Sequence, residues 1–543
     1  MNQYKLRYVV GGVKDEVAFS HVGSFDFNNF KAVATSDGVR NTVTVTALSD
    51  IEIEKCTLRK VAQAEFSDLC FVNGYQSWTK TKEFFLSEKE RDAKKIFKPL
   101  NRIYAFDRYG DATFFDYNKS LLHGYDVFFV KKQGGAFILN ANYKNAYLVV
   151  LLDKSTGEIS LRSELDGLKL SAGESFTVID YYLVNDYEKG MALFDEVFPP
   201  SPVKKLLGYT SWYNYYQNIT EDIILRDLNA LDERFDLFQI DDGYETFVGD
   251  WTDVDEKKFP VGLKGIVDKA HEKGYLAGIW LAPFVAETKS KVFNEHPDWF
   301  EFDGQKVLCG SNWSGFYALN LEKEPVKRYI ARCLQFFIDL GFDFFKLDFL
   351  YAATLPACKG ITRSMAAEKA YSFLREVLKG KLILGCGATI FNAAKRFDYM
   401  RIGPDVSLSF DDVWYMRFMH NERISTKTTL QNTVYRSFMN GRLFGNDPDV
   451  FLLRDDNIKL SKAQREALIT LNALFGSLLM TSDNIAAYDD EKRALLDKAL
   501  ALKDRAKVTS YKREHDIITI YYSLDGEEKT LRYNTKKGVL VNG

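Results

Sequence analysis

Histidine is scarce and poorly placed for chemistry. The chain has six (His21, His123, His271, His296, His420 and His515), none at the end of an apolar run and no two at metal-ligand spacing. That pattern argues against a histidine-based metal hydrolase and against a Ser-His triad. Cysteine is equally sparse: Cys56, Cys70, Cys309, Cys333, Cys358 and Cys386 lie far apart with no Cys-x-x-Cys pair. Neither a zinc site nor a disulfide framework is indicated, and the six fit reduced thiols. No apolar stretch approaches the length of a bilayer crossing, and the opening Met1–Gly12 is too short and too polar in its apolar part for a signal peptide. A soluble, cytoplasmic protein is expected. Charge of one sign is lacking as well: 72 Lys and Arg stand against 75 Asp and Glu, well interspersed, for a net charge of -3. Nothing favours nucleic acid or a membrane surface as partner.

What is abundant is aromatic. Phe, Tyr and Trp make up 15% of the 543 residues. They serve a large core, and aromatic faces are also what sugars stack upon. A chain of this length implies two or three domains. Residues 1 to about 195 read as all-β: Thr42–Leu48 and Ile51–Leu58 alternate apolar with polar, and Val127–Leu139 reads as two strands around a glycine turn. A β-sandwich is expected over 1–198. Pro199-Pro-Ser-Pro202 punctuates the chain. From there the pattern becomes strand, loop, helix, repeated, with eight strand candidates ending at Leu206–Tyr213, Leu237–Ile240, Ile279–Trp280, Phe342–Leu350, Leu382–Cys386, Tyr399–Ile402, Arg442–Gly445 and Gly476–Thr481. The fold class is α/β: a (β/α)8 TIM barrel over 199–488, with the sandwich before it and a helix plus small antiparallel β domain over 489–543.

The chain is organised around Phe342-Asp-Phe-Phe-Lys-Leu-Asp-Phe-Leu350, in which Lys346 and Asp348 stand two apart. In a strand they share one face, with Phe345, Leu347 and Phe349 on the other. Taken alone, that describes a structural ion pair as well as a reactive one. In a parallel barrel, however, C-terminal strand ends converge, so Asp241, Asp242, Trp280, Lys346, Asp348, Cys386, Arg401 and Asp405 are expected around one pocket. Several carboxylates with almost no histidine point to glycoside cleavage, one carboxylate attacking the anomeric carbon while a protonated one assists the leaving oxygen. Lys346 would keep Asp348 anionic as nucleophile, and Asp405, after Gly403-Pro404, would be the acid/base. Retention requires their carboxyls about 5 to 6 Å apart. Individually, Asp241-Asp242-Gly243 also describes a turn, Cys386 a small buried side chain, and Trp280 a core aromatic.

Phe345-Lys-Leu-Asp348 with Arg401-Ile-Gly-Pro-Asp405 resembles the motif pair of bacterial α-galactosidases of glycoside hydrolase family 36. The resemblance extends through Asn73–Trp78, Ser211-Trp212, Asp241–Gly243, Trp280–Pro283, Leu384–Gly387 and Gly445–Asp449, nearly the whole chain. It implies a retaining exo-acting enzyme without metal or organic cofactor, acting on a small oligosaccharide or glycoside. It further implies that Asp241 and Asp242 accept from the sugar's 4- and 6-hydroxyls, that Lys346 and Arg401 bind ring hydroxyls, and that Trp212 and Trp280 wall the sugar, with Trp78 reaching in from the sandwich; Cys386, between two glycines, is a candidate substrate contact beside its reading as a small buried side chain. The chain departs from the family at Ala388–Asn392 and Val406–Asp412, where proline-containing segments are expected. Those loops border the 2-hydroxyl and leaving-group sides, which keeps α-N-acetylgalactosaminidase and galactosyl transfer as alternatives; a carbohydrate-binding protein that kept the barrel and lost turnover is an alternative of another class.

Overall fold

A computed structural model describes residues 3–88, 95–111, 120–355, 360–411, 416–420 and 422–541. The sandwich packs a six-stranded against an eight-stranded antiparallel sheet. Its logic is legible in Arg40–Ala47: Val43, Val45 and Ala47 are buried, while Thr44 and Thr46 on the outer face pair through their hydroxyls with Thr177 and Ser175. The expected hairpin in 127–139 is present as Val127–Val130 against Phe137–Asn140. Asp126, buried where the chain passes from one sheet to the other, accepts from the side-chain amide of Asn140 at 2.6 Å and the amide of Leu148 at 3.0 Å.

Burial pushes the Asp126 carboxyl up to about 7. An unfolded aspartate titrates near 4, so the folded state loses stability as pH rises from there through about 7. Asp126→Asn keeps an oxygen for both donors and carries no charge. It is expected to raise the melting temperature by a few degrees at pH 8 and to leave it unchanged at pH 4, measured by calorimetry; a loss of stability at pH 8 contradicts this account.

The barrel strands are Leu206–Thr210, Leu237–Ile240, Leu276–Leu281, Phe344–Leu347, Leu382–Gly385, Tyr399–Arg401, Gly445–Asp447 and Leu478–Thr481, every neighbouring pair parallel. Closure depends on a broken seventh strand. Gly445–Asp447 pairs with the sixth, and after Pro448 and Asp449 the chain resumes as Val450–Phe451 against the eighth. Strand seven thus begins where the sequence suggested it would end: Leu443 and Phe444 are buried in the preceding turn, and the polar Asn446 and Asp447 form the ladder.

Helices begin where the caps say they should. The Thr220 hydroxyl accepts from the amide of Ile223 ahead of Glu221–Ala230, and Glu324–Leu340 ends at Gly341 in the left-handed conformation. An insertion after strand three forms a three-stranded sheet, Val285–Glu287, Leu308–Gly310 and Phe316–Ala318, whose residues show no clear alternation. A helix, Asp490–Arg505, leads to a four-stranded sheet over 506–541. Cys56, Cys70, Cys309, Cys333 and Cys386 are buried free thiols; Cys358 lies outside the described residues, as does Asp412 of the departing loop. No described helix is long and apolar enough to cross a membrane.

Candidate active site

The C-terminal rim of the barrel opens into a cleft of about 650 Å³, within the usual range for ligand sites. Four of the ten singled-out residues line it directly: Trp78, Trp212, Asp348 and Asp405. The other six, Asp241, Asp242, Trp280, Lys346, Cys386 and Arg401, are buried and contact these four or one another.

Asp348 follows the last residue of strand four. Its amide still donates to Leu281 O at 2.8 Å, as if the strand continued, but Phe349 then takes φ 54°, a left-handed conformation costly for a bulky residue. Strand alternation therefore ends one residue early. Phe349, expected on the opposite face, joins Asp348 in the cleft lining and packs its ring 5.4 Å from that of Trp78. Both Asp348 oxygens are held: Trp280 Nε1 donates to Oδ2 at 3.1 Å and the Phe349 amide to Oδ1 at 2.8 Å. Burial raises the Asp348 pKa; Lys346 draws it back, and Asp405 opposes that.

Lys346 serves Asp241 more closely than Asp348. Its Nζ donates to Asp241 Oδ2 at 2.7 Å, both side chains almost wholly buried. Gln239 Nε2 and Thr210 Oγ1 donate to the same oxygen at 2.9 and 3.1 Å. Burial alone would push Asp241 up; the Lys346 charge and these donors outweigh it and hold the carboxyl below its usual range. Asp242 accepts from Gln217 Nε2 at 3.1 Å and Trp313 Nε1 at 2.9 Å, yet burial leaves its pKa raised.

Arg401, at the end of strand six, spreads one charge over three carboxylates: Nη1 to Asp405 Oδ1 at 2.9 Å, Nε to Asp447 Oδ2 at 2.8 Å, and Nη2 2.8 Å from Asp449 Oδ1. Asp449 sits in the strand-seven break at φ 71°, where its other oxygen accepts from the Tyr213 hydroxyl and the Val406 amide. Burial lifts Asp449 to about 6. Asp405 is the exposed member, with a third of its side chain accessible.

Trp78 comes from the sandwich, in the loop between Leu69–Val72 and Lys82–Phe85. Its Nε1 donates to Cys386 Sγ at 3.4 Å, and its ring lies so close to Gly387 that a Cβ there would come within 2.9 Å of it. Arg436, fully buried, fastens this loop by donating to the carbonyls of Gly74, Gln76 and Ser77 and to Asn73 Oδ1. Trp313 and Gln217 were not anticipated. Trp313 stands in Gly310-Ser-Asn-Trp-Ser-Gly315, where a lone aromatic in a glycine-bounded polar loop was the available signal; nothing local distinguishes Gln217. Among the described residues no cluster of three or more His, Cys, Asp or Glu is arranged to hold a metal ion.

Residues 207–379 match the melibiase family. The chain is 32% identical over 136 residues to alpha-galactosidase 1 of Pediococcus pentosaceus, covering 22% of this chain and 18% of that protein. It is 29% identical over 212 residues to the A type blood alpha-D-galactosamine galactosaminidase of Flavonifractor plautii, 35% of this chain and 19% of that one. These matches thus span about a fifth of the relatives' own length. In three dimensions the chain is similar to TtGalA, an alpha-galactosidase from Thermus thermophilus solved with p-nitrophenyl alpha-D-galactopyranoside: TM-score 0.71, 23% identity, 93% of this chain and 98% of that one.

Proposed function

We propose that this protein, whose melibiase match spans the first four barrel strands, is a retaining exo-glycosidase that removes terminal α-linked galactose from oligosaccharides. The observation that carries this is the pairing of Asp348 with Asp405 in the lining of one aromatic-walled cleft at the C-terminal rim. Asp348 attacks the anomeric carbon. Its two hydrogen bonds hold the carboxylate in one orientation before substrate arrives, so that little reorganisation is needed in the transition state. Asp405, on the solvent side, protonates the departing oxygen and then deprotonates the water that releases the sugar. Arg401 keeps Asp405 in place, and because Asp447 and Asp449 share its charge, Asp405 is not its sole counter-ion. The Lys346–Asp241 pair and Asp242 offer fixed donors and acceptors for ring hydroxyls, which would exchange with the present partners Thr210, Gln217 and Trp313.

The close approach of Trp78 to Cys386 and Gly387 leaves little space on that wall, which favours a plain hydroxyl over an acetamido group if that wall faces C2 of the sugar. The buried thiols accord with a cytoplasmic location.

The test is nitrophenol release from p-nitrophenyl α-galactoside and its α-N-acetylgalactosaminide, with the anomer first released followed by proton NMR. Turnover of the galactoside with α-galactose appearing first is expected. Preference for the acetamido sugar transfers the assignment to α-N-acetylgalactosaminidase, β-galactose first means inversion, and inertness toward both leaves a carbohydrate-binding protein.

A further inference from the structure

The seventh barrel strand breaks at Asp449, a residue poorly suited to making a break. It is buried, yet its backbone stands at φ 71°, which costs an aspartate free energy and which glycine would adopt without strain. Its neighbours hold it there: the Asp449 amide donates to Asp447 Oδ1 at 2.9 Å, and its carbonyl accepts from Asn472 Nδ2 at 3.3 Å. The break turns one carboxyl toward the loop that follows strand six. Oδ1 lies 2.8 Å from Arg401 Nη2, and Oδ2 accepts from the Tyr213 hydroxyl at 2.6 Å and from the Val406 amide at 2.7 Å.

Val406 is the residue after Asp405, and the same Arg401 donates through Nη1 to Asp405 Oδ1 at 2.9 Å. Asp449 therefore reaches Asp405 by two routes, one through the backbone and one through a shared guanidinium. Glycine could make the same break but neither contact. Asp405 needs the support, because its side chain is a third accessible and stands on a loop rather than in the strand ladder. We infer that Asp449 is a positioning residue for the acid/base: it fixes the Asp405 backbone through the Val406 amide and the Asp405 carboxyl through Arg401, and so sets where the proton is delivered.

This inference rests on the glycosidase reading and concerns its first chemical step, in which the bond from C1 to the leaving oxygen breaks and Asp405 gives that oxygen a proton. Asn at 449 tolerates the left-handed backbone and keeps an oxygen for Val406 and Tyr213, but its amide nitrogen then meets Arg401 Nη2, donor against donor. A displaced guanidinium takes the Asp405 carboxyl out of line. For Asp449→Asn, kcat/KM is expected to fall about a hundred-fold on raffinose and less than about three-fold on p-nitrophenyl α-galactoside, whose leaving group departs without a proton. The same substitution made in Asp405→Ala should change the residual kcat/KM on raffinose less than about two-fold, because the group it acts through is gone. Equal losses on the two substrates, or a full further loss in Asp405→Ala, overturn the inference. Thermal melts check folding. If Asp449→Asn does not fold, Tyr213→Phe, which removes one donor to the Asp449 carboxyl, is taken through the same cycle, with a smaller loss on raffinose expected and the same outcomes deciding. A wild type inert toward both substrates overturns the glycosidase reading and this inference with it.

Discussion

Replacing Asp348 by alanine is expected to lower kcat on p-nitrophenyl α-galactoside by about four orders of magnitude, the scale on which a covalent nucleophile matters. The fold should not suffer. Burial and the nearby Asp405 raise the pKa of Asp348, so at neutral pH its charge is held at a cost and its removal relieves that cost. The melting temperature is accordingly expected to stay level or rise. Azide gives a more specific readout. Entering the space left by the carboxylate, it attacks C1 from the same side, expels nitrophenolate and yields β-galactosyl azide, so rescue with that product identifies Asp348 as nucleophile. A variant within about ten-fold of wild type, or rescue without the azide product, rules out the double displacement. Asp405→Ala should behave differently, harming raffinose far more than the aryl substrate, because nitrophenolate leaves without a proton.

Arg436→Ala is expected to be the most damaging single change to the fold. The guanidinium is fully buried and donates to Ile402 O on the barrel side and to Asn73 Oδ1 and the carbonyls of Gly74, Gln76 and Ser77 on the sandwich side. Its pKa falls to about 9 through burial, with Asp111 only partly offsetting this, so oriented carbonyls balance most of its charge. Truncation leaves several buried acceptors unpaired and opens a cavity between two domains. A loss of at least about 4 kcal/mol in urea unfolding follows. Activity should fall in whatever fraction remains folded, because Trp78 sits on the loop that Arg436 fastens. A destabilisation under about 1 kcal/mol shows that the loop is held by other contacts, such as the Asn432 side chain, which donates to Thr79 O and accepts from the Thr81 amide.

Asp348 and Asp405 were visible beforehand as carboxylates closing apolar runs, and Trp78 through the motif Asn73–Trp78. Strand alternation predicts Phe349 on the face opposite Asp348; only the left-handed turn at that position brings its ring into the cleft. Lys346 draws the Asp348 pKa down, as the spacing predicts, but its hydrogen bond goes elsewhere. Two residues apart on one strand suggests Asp348, but in a barrel the neighbouring strand ends are as near, and Asp241 receives the ammonium. Phe106, Tyr109, His420 and Glu422, which line the same cleft, carry no periodic or motif signal.

By itself the sequence determined the order of sandwich, barrel and small β domain and the placing of acidic residues at strand ends. Those properties are local: a two-residue period makes strands, a 3.6-residue period makes helices, and a strand's last residues occupy the rim wherever the barrel closes. Tertiary structure alone decided which charges pair, which carboxylate reaches solvent and what walls the cleft. Those outcomes join residues far apart in the chain, Trp313 with Asp242 across 71 positions and Trp78 with Cys386 across 308. Contacts of that span arise from the packing of whole elements, and no window of neighbouring residues encodes them.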